Sequence, residues 1–289
     1  MESYNSDEQI LSVSDSKTQT EFLTDYSPKD KPWDEHKTFN GKVFEMLESS
    51  GKVVHQKQAD RMKTCAQSLE FGWVLVSTET GEIKLRLKNA RFCRFRHCPI
   101  CQWRRALMWV SKFFDAFPKI YAEYPDMRYI MLTLTVRNCE IAQLRAQVNQ
   151  MSNAWNKLTK RKDFPALGFV RSLEVTRGKD GSAHPHFHIL LAVKPSYFSR
   201  NYLSKNDWAE LWREAMRLDY KPVCDVRIVK ERKSETLVMA EGEQSNPMKA
   251  LMSAITETIK YTTKPSDMVK QSAWLLEMVD QMRNVRALS

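Results

Sequence analysis

Three histidines occupy alternate positions in the stretch HPHFHILL, at His184, His186 and His188. On a strand, residues two apart point to the same face, so the three imidazoles would project together, about 6.5–7 Å apart at Cα from one to the next. That spacing allows His186 and His188 to bind one ion. The pattern therefore predicts a metal site. The alternative is a set of polar residues on an exposed sheet face.

Glu174, in the segment SLEVT, is the expected third ligand. Its strand, GFVRSLEVTR, is expected to pair with the histidine strand through the loop at 177–183, which brings the carboxylate towards the imidazoles. Two imidazoles and one carboxylate suit Mn²⁺ or Mg²⁺, with positions left open for phosphate oxygens. From the residues alone, the role of His184 stays open between ligand and orienting group.

A second metal site is indicated by cysteines. Cys93, Cys98 and Cys101 lie within nine residues, and the tight Cys98–Cys101 pair suits tetrahedral Zn²⁺. We expect Cys65 to be the fourth ligand, with His97 as the alternative. Such a structural zinc would hold a small β-unit together and present basic side chains to DNA phosphates. Those side chains are Arg91, Arg94, Arg96, Arg104 and Arg105. The competing interpretation is three buried thiols without metal.

The segment ETIKYTTK supplies a candidate nucleophile. Glu257, Tyr261 and Lys264 are spaced by four and three residues, so on a helix they would share one face. A tyrosine can attack phosphorus and form a phosphotyrosyl ester, a nearby lysine can screen the developing phenolate, and a glutamate can activate the nucleophile of a later cleavage. An ordinary solvated helix face is the alternative.

The elements that must position these residues follow from periodicity. From Met127 the chain reads as strand, helix, two strands, helix and strand, which predicts an α+β fold with a ferredoxin-like β-α-β-β-α-β antiparallel sheet. We expect a β-hairpin turning near 79–81, a helix that stops near Pro118, and a final helix from Pro247 that Pro265 ends.

Charge and composition limit the classes of partner that the protein is expected to bind. Lys and Arg number 45 against 35 Asp and Glu, a net charge of +10, which favours a polyanion such as DNA, although a basic protein without nucleic acid is the alternative. No apolar run approaches the ~20 residues that span a bilayer, and the acidic, polar first residues do not resemble a signal peptide. We therefore expect a cytoplasmic protein with no membrane partner.

The same patterns predict three parts of the chain. Residues 1–50 are expected to form a mostly disordered arm, since they are polar and lack sustained periodicity. Residues 51–125 would form the zinc-binding β-unit and a connecting helix. Residues 126–289 would form the catalytic domain.

Four segments in this order resemble the HUH endonuclease superfamily, and more specifically the rolling-circle replication initiators of small bacterial plasmids. They are YIMLTLT, HPHFHILL, ETIKYTTK and the upstream cysteine segment FCRFRHCPICQWRR, and the resemblance covers roughly residues 60–270. It implies the HUH endonuclease fold preceded by a zinc-binding β-unit, and a single nucleophilic tyrosine.

By that resemblance, Tyr261 would nick one strand at the plasmid's double-strand origin and keep the 5′ phosphate as an ester. The free 3′ hydroxyl would serve a host DNA polymerase, with a host helicase unwinding the duplex. Glu257 matches the position associated with the terminating cleavage, and His186 and His188 match the two metal-ligand positions.

Two other functions remain open from the sequence. A relaxase or a single-strand transposase of the same superfamily shares the chemistry, but relaxases usually place the tyrosine before the histidines, and the transposases usually lack the cysteine segment. A zinc-dependent DNA-binding regulator without enzymatic activity is the alternative from a different class.

Overall fold

A four-stranded antiparallel sheet carries the histidine stretch. The computed structural model describes residues 31–75, 78–199, 201–229, 247–259 and 262–289. The strands of this sheet lie in the order β4-β5-β3-β6, and every neighbouring pair is antiparallel. Along the chain they alternate with helices as strand, helix, two strands, helix and strand. The bounds are β3 Arg128–Thr135, α4 Leu144–Leu158, β4 Ala166–Arg177, β5 Ala183–Val193, α5 Lys205–Met216 and β6 Cys224–Ile228.

One face of this sheet is covered by α4 and α5. Trp155 of α4 and Trp212 of α5 are both about 1% exposed or less, and the ring of Phe187 on β5 lies 6.2 Å from that of Trp212. The indole N–H of Trp212 donates to the carbonyl of Thr135 at 2.9 Å, which ties α5 to the end of β3. A capping box at Ser204 starts α5, as its sequence predicts.

The opposite face has an apolar end and a polar end. At the apolar end Val170 and Leu190 pack with Ile255 and Ile259 beneath side chains of Pro99–Glu123, the helix α3. Because residues two apart share a face, Glu174 lies on the same face as Val170, and His186 and His188 lie on the same face as Leu190. The covered end therefore lies beside a polar end that carries the predicted ligands, of which Glu174 and His186 are buried and His188 is half-buried.

The N-terminal part consists of two helices, a hairpin and α3. The predicted hairpin is present, and its two strands pair antiparallel. Helix α3 continues through Pro118 and ends at Glu123, in line with the expected end near that proline or soon after it. The rings of Phe117 and Tyr121 stack at 6.0 Å, so aromatic packing continues across the position where Pro118 removes one N–H donor. The remaining bounds here are α1 Lys31–Glu48, α2 Val53–Lys63, β1 Leu69–Leu75 and β2 Ile83–Ala90.

Part of the expected irregular arm is helical. The chain divides into residues 1–35 and 36–289, and the described part of the first unit, Lys31–Glu35, is the first turn of α1. Further along α1, Val43 and Leu47 are fully buried one turn apart. These two apolar positions give residues 36–48 a buried stripe, which the overall polarity of the segment conceals.

The C-terminal part departs from the sequence expectation at one point. Helix α6, Pro247–Thr258, ends before Lys264 instead of continuing to Pro265. Lys264 is extended and precedes the short helix α7, Pro265–Met268, as a residue before proline prefers. A further helix, α8 (Ser272–Gln281), follows. Across the described ranges, we find no helix with the length and apolar character needed to cross a bilayer.

Candidate metal centres

Glu174 and His186 are directly opposite each other in the β4–β5 pair. One carboxylate oxygen of Glu174, Oε2, lies 3.4 Å from Nε2 of His186 and 2.9 Å from Nε2 of His188. The three potential ligand atoms all lie within 4.8 Å of one another. The structure therefore brings together the three side chains that strand parity predicts.

The other ring nitrogen of each histidine has a partner of its own. Nδ1 of His186 donates to the carbonyl of His184 at 3.1 Å, and Nδ1 of His188 lies 3.4 Å from the hydroxyl of Thr133 on β3. A proton on Nδ1 leaves the Nε2 lone pair free, and such outer hydrogen bonds orient the histidine ligands of metal sites. Both Nε2 atoms therefore face the same space as the Glu174 carboxylate.

Burial and charge at this group favour an ionised carboxylate. Burial alone raises the pKa of the Glu174 carboxyl, but the hydrogen bonds and charges of His186 and His188 outweigh it and hold the pKa below its usual range. Glu174 is 5% exposed, so a cation at this position is held by a desolvated anion. Two nitrogens and one oxygen fit a divalent ion that would take its remaining ligands from other oxygens.

His184 lies beside this group but outside it. Its ring is 5.2 Å from that of His186, and its Nδ1 lies 2.6 Å from the side-chain oxygen of Asn138. The three-residue group does not include it. Its backbone carbonyl accepts the hydrogen bond from His186, so the contact that His184 makes to the group comes from its main chain.

Four cysteines form the second candidate centre. Cys65 Sγ lies 3.7 Å from Cys98 Sγ and 3.6 Å from Cys101 Sγ, and Cys93 Sγ lies 3.5 Å from Cys101 Sγ. Four sulfurs bound tetrahedrally at ~2.3 Å from Zn²⁺ are separated by about 3.8 Å. The cluster thus has the spacing of a four-sulfur zinc site, and all four side chains are buried.

Two backbone N–H groups donate to these sulfurs, and one side-chain amide oxygen accepts from the Cys98 thiol. The N–H of Cys93 donates to Cys65 Sγ, and the N–H of Cys101 donates to Cys98 Sγ, both at 3.4 Å. Donors of this kind stabilise thiolates. Asn40 of α1 lies 3.0 Å from Cys98 Sγ through its side-chain oxygen. The donor set and its surroundings fit a metal that takes thiolate ligands.

His97, the alternative fourth ligand, is not in the cysteine cluster. Its side chain is 2% exposed, and its Nδ1 has no hydrogen-bond partner. Burial, with the charges of Arg96 and Arg105, lowers the pKa of His97 to about 3. The geometry therefore brings Cys65, not His97, to the other three cysteines.

Of the five arginines proposed for DNA contact, Arg94, Arg96, Arg104 and Arg105 lie next to the clustered cysteines in the chain. Arg94 is exposed, with a backbone φ of 58°, and its carbonyl accepts a hydrogen bond from Arg105 at 3.3 Å. Arg96 donates to the carbonyl of Met282 at 3.3 Å. The guanidinium of Arg104 lies 5.5 Å from the ring centroid of Trp103. The cysteine segment thus places several cations on one part of the surface.

The predicted nucleophile segment is only partly described. Tyr261 lies outside the described residues, so its relation to the histidines is a prediction. Glu257 is half-buried near the end of α6, and Lys264 is exposed before α7. Since α6 ends at Thr258, the expected helical face shared with Lys264 is wrong: β-branched residues and Pro265 disfavour helix there.

The chain on either side of Tyr261 is anchored to β4. The carbonyl of Thr258 accepts a hydrogen bond from the hydroxyl of Ser172, and the carbonyl of Thr262 accepts one from the N–H of Val175 at 2.8 Å. Val175 directly follows Glu174 in the chain. The residue after Tyr261 is therefore held one strand position from a metal-ligand candidate.

Sequence reasoning missed the residues that support the site. Thr133 and Ser172 are ordinary strand residues in the sequence, and only the sheet register places both opposite His188. Asn138 and Asn40 likewise reach their partners across long sequence separations. The sequence offered one indication: Ser172 is two residues before Glu174, so both side chains point to the same face of the strand.

Comparison with known proteins gives a consistent result. A family described as "Replication protein" matches residues 84–289. A protein from Lentilactobacillus hilgardii named "Protein rep" is 36% identical over 246 residues, covering 83% of this chain and 71% of that protein. Proteins of the same name from Bacillus amyloliquefaciens and Streptococcus pneumoniae are 38% and 33% identical, covering 79% and 82% of this chain and 67% and 69% of their own lengths. No solved structure matches this chain.

Proposed function

Because this chain belongs to the family of replication proteins, we propose that it initiates rolling-circle replication of a plasmid by nicking one DNA strand with Tyr261. In the proposed reaction the phenol oxygen attacks the scissile phosphorus. The bond from phosphorus to the 3′ oxygen breaks, the 5′ phosphate becomes an ester of Tyr261, and the phenol proton leaves while the 3′ oxygen takes one up. The product is a 3′ hydroxyl that a host polymerase can extend.

The observation that carries this proposal is the link between the tyrosine segment and the Glu174 group. The Thr262 carbonyl is bonded to the N–H of Val175, beside Glu174, and Thr262 directly follows Tyr261. Consecutive Cα atoms are about 3.8 Å apart. This anchor supports a nucleophile that works at the same place as the two histidines.

Glu174, His186 and His188 would hold a divalent cation, Mn²⁺ or Mg²⁺, with their Oε2 and Nε2 atoms. When bound, that ion would polarise the scissile phosphate and neutralise charge that develops on it. Lys264, exposed three residues after Tyr261, would screen the phenolate as it forms. His184 would act through its carbonyl, by keeping His186 in the tautomer that presents Nε2.

Glu257 would act in the terminating step. After one round of replication, a carboxylate near the site can accept a proton from a water or from an incoming 3′ hydroxyl. This allows a single tyrosine to serve initiation while a different group serves release. The half-buried position of Glu257 next to Thr258, whose carbonyl is tied to β4, supports this role.

The cysteine cluster would hold a structural Zn²⁺. Its role would be to fix the turn between β2 and α3 and so present the neighbouring arginines to DNA phosphates. The four candidates are Arg94, Arg96, Arg104 and Arg105.

The fold supports the same assignment. The order β4-β5-β3-β6 with helices after β3 and β5 is that expected for a ferredoxin-like sheet, and we infer that it represents the HUH endonuclease arrangement. In this proposal residues 126–289 form the nicking domain and 51–125 the zinc unit. The protein would work in the cytoplasm on its plasmid's double-strand origin, together with a host helicase and polymerase.

The test is a cleavage reaction on supercoiled plasmid that carries the cognate origin. With Mn²⁺, the protein should yield relaxed DNA and a protein–DNA adduct that survives SDS. Mass spectrometry of the adduct formed with a nick-site oligonucleotide should identify Tyr261 as the esterified residue.

Tyr261→Phe is the matched variant, since it removes one oxygen and keeps the ring. It should bind the origin but give no adduct. Full nicking by this variant would refute the assignment of the nucleophile. Retarded migration of origin DNA by the wild-type protein, without any relaxation, would instead indicate a DNA-binding regulator.

A further inference from the structure

A basic cavity lies next to the anchored tyrosine segment. It has a volume of about 210 Å³ and opens to solvent. Ser172 of β4 and Thr262 form one side of it, and α3 forms the other. The cavity is lined by Arg96, Arg105, Trp109 and Arg286, among others.

Within the described part of the chain, no carboxylate pairs with the arginines of this cavity. Among the described residues, Arg96 and Arg105 donate only to backbone carbonyls, and no ion pair or hydrogen bond involves the exposed Arg286. Arg96 and Arg105 line the same cavity, and burial together with the charge of Arg105 lowers the pKa of Arg96. Guanidinium groups that face one cavity without carboxylates favour an anion such as a phosphate.

One wall of the cavity is aromatic. Trp109 lies four residues after Arg105, so the two share a face of α3. Its side chain is 38% exposed, and Lys112 lies 4.9 Å from its ring centroid. A half-exposed indole beside arginines is the combination that single-stranded nucleic acid uses, with the base stacked on the ring and the phosphate on the cations.

Ser172, which lines the cavity, connects it along β4 to the proposed catalytic group. Ser172 is opposite His188 in the sheet and shares its face with Glu174, two residues along β4. Residues two apart on a strand are separated by about 6.5–7 Å, and successive phosphates of an extended nucleic-acid strand are separated by a similar distance. A strand with its scissile phosphate at Glu174 would therefore bring the adjacent nucleotide to the cavity.

We propose that this cavity binds the nucleotide next to the scissile phosphate, with its base against Trp109 and its phosphate held by Arg105 and Arg286. This inference rests on the proposed nicking function and adds a specific nucleotide subsite to it. A cavity of this size is below the ~300–1,000 Å³ of typical small-molecule pockets, which suits one nucleotide and not a longer segment. Arg96, more buried, would contribute charge from the cavity wall.

The first experiment measures nucleotide binding in the cavity under conditions in which no DNA is cleaved. The zinc-loaded protein, without Mn²⁺, is titrated by NMR with each of the four deoxynucleoside 5′-monophosphates, and with 2-deoxyribose 5-phosphate as a probe that lacks the base. We expect at least one nucleotide to bind more tightly than the sugar phosphate. Trp109→Ala should weaken nucleotide binding about fivefold or more, the lower end for loss of base–aromatic stacking, and should leave the sugar phosphate unchanged.

Arg286→Gln tests the charge, because within the described residues the substitution would break no hydrogen bond or ion pair of this arginine. It should weaken the binding of both probes, the nucleotide and the sugar phosphate, by about threefold or more, because a charge-assisted contact is lost. Lys157→Gln is the matched control, since it removes one positive charge from α4, on the other face of the sheet, and should change neither affinity. Nucleotide affinities of Trp109→Ala and Arg286→Gln within twofold of wild type would overturn the proposal.

The second experiment uses a nick-site oligonucleotide with one abasic position moved along it. In wild-type protein, the abasic nucleotide next to the nick should reduce binding most, and Trp109→Ala should abolish that difference. A flat profile with efficient nicking would reject the subsite but leave the nicking function intact. Absence of nicking by the wild-type protein would reject the function, while the monophosphate titration would still report on the cavity.

Discussion

The hydroxyl of Ser172 donates a hydrogen bond to the backbone carbonyl of Thr258, the residue at which α6 ends. Both residues are buried, with Thr258 fully inaccessible. The carbonyl lies at a helix end, where no intrahelical donor is available, so a side chain of β4 replaces the missing partner. This bond and the one from Val175 to Thr262 fix the chain on both sides of Tyr261.

We predict that Ser172→Ala weakens both stability and nicking. The substitution leaves the Thr258 carbonyl buried without its donor, which costs about 1–3 kcal/mol. Denaturant unfolding should show this loss, and the rate of adduct formation should fall because the tyrosine segment is held less firmly. Ser152→Ala, on α4, is the control and should stay within about 0.5 kcal/mol of wild type. Wild-type nicking by Ser172→Ala would show that this anchor does not position Tyr261.

Thr133 provides a test of the metal group that leaves its ligands intact. Its hydroxyl lies 3.4 Å from Nδ1 of His188, and valine has nearly the same shape without the hydroxyl. Loss of such an outer contact typically lowers metal affinity 10–100-fold. Thr133→Val should therefore require more Mn²⁺ for nicking, and electron paramagnetic resonance of Mn²⁺ titrations should show weaker binding.

Thr135→Val is the matched control for that experiment. Thr135 is two residues along the same strand, but its hydroxyl donates to the carbonyl of Val223 at 2.7 Å and not to a histidine. Its Mn²⁺ affinity should stay close to that of the wild-type protein. Equal effects of the two variants would mean that the hydroxyl of Thr133 does not orient His188.

The cysteine cluster predicts a specific pattern of zinc loss. Cys65→Ser should lose zinc, measured by plasma mass spectrometry, whereas His97→Gln should retain it because His97 is outside the cluster. Cobalt substitution should give the absorption bands of a four-thiolate site in the wild-type protein. Cys224→Ser, a buried cysteine elsewhere, should keep the metal. Zinc retained by Cys65→Ser but lost by His97→Gln would reverse the choice of fourth ligand.

The features that were predicted well from the sequence depend on the regular geometry of strands and of closely spaced ligands. Strand parity places Glu174, His186 and His188 on one face regardless of details, because side chains alternate strictly along a strand. The prediction needed only the pairing of two strands joined by a short loop. The tight Cys98–Cys101 spacing likewise limited the possible geometries, and the expected fourth ligand, Cys65, lies with the other three cysteines in the structure.

The predictions that failed concern segments whose structure depends on contacts with residues distant in sequence. Local spacing made Glu257, Tyr261 and Lys264 resemble one helix face, but hydrogen bonds from Ser172 and Val175 hold the Thr258 and Thr262 carbonyls instead. Helix α8 was also missed, although its buried residues are at helical spacing, and its Asp280 pairs with Lys52 and His55, more than 200 residues earlier. Local pattern cannot reveal partners of this kind.

The last prediction separates initiation from termination. Glu257→Ala should leave the first nick unchanged within about twofold, because Tyr261 and the Glu174 group remain. Release of circular product should fall by about a hundredfold or more, the usual contribution of a general base. A stopped assay that measures the covalent adduct and the closed circle separately will show the adduct accumulating. Glu257→Gln, similar in shape but unable to accept the proton, should behave like Glu257→Ala if the carboxylate acts as a base. Normal release by Glu257→Gln with impaired release by Glu257→Ala would show that Glu257 positions the segment through its shape and hydrogen bonds, and that another group accepts the proton.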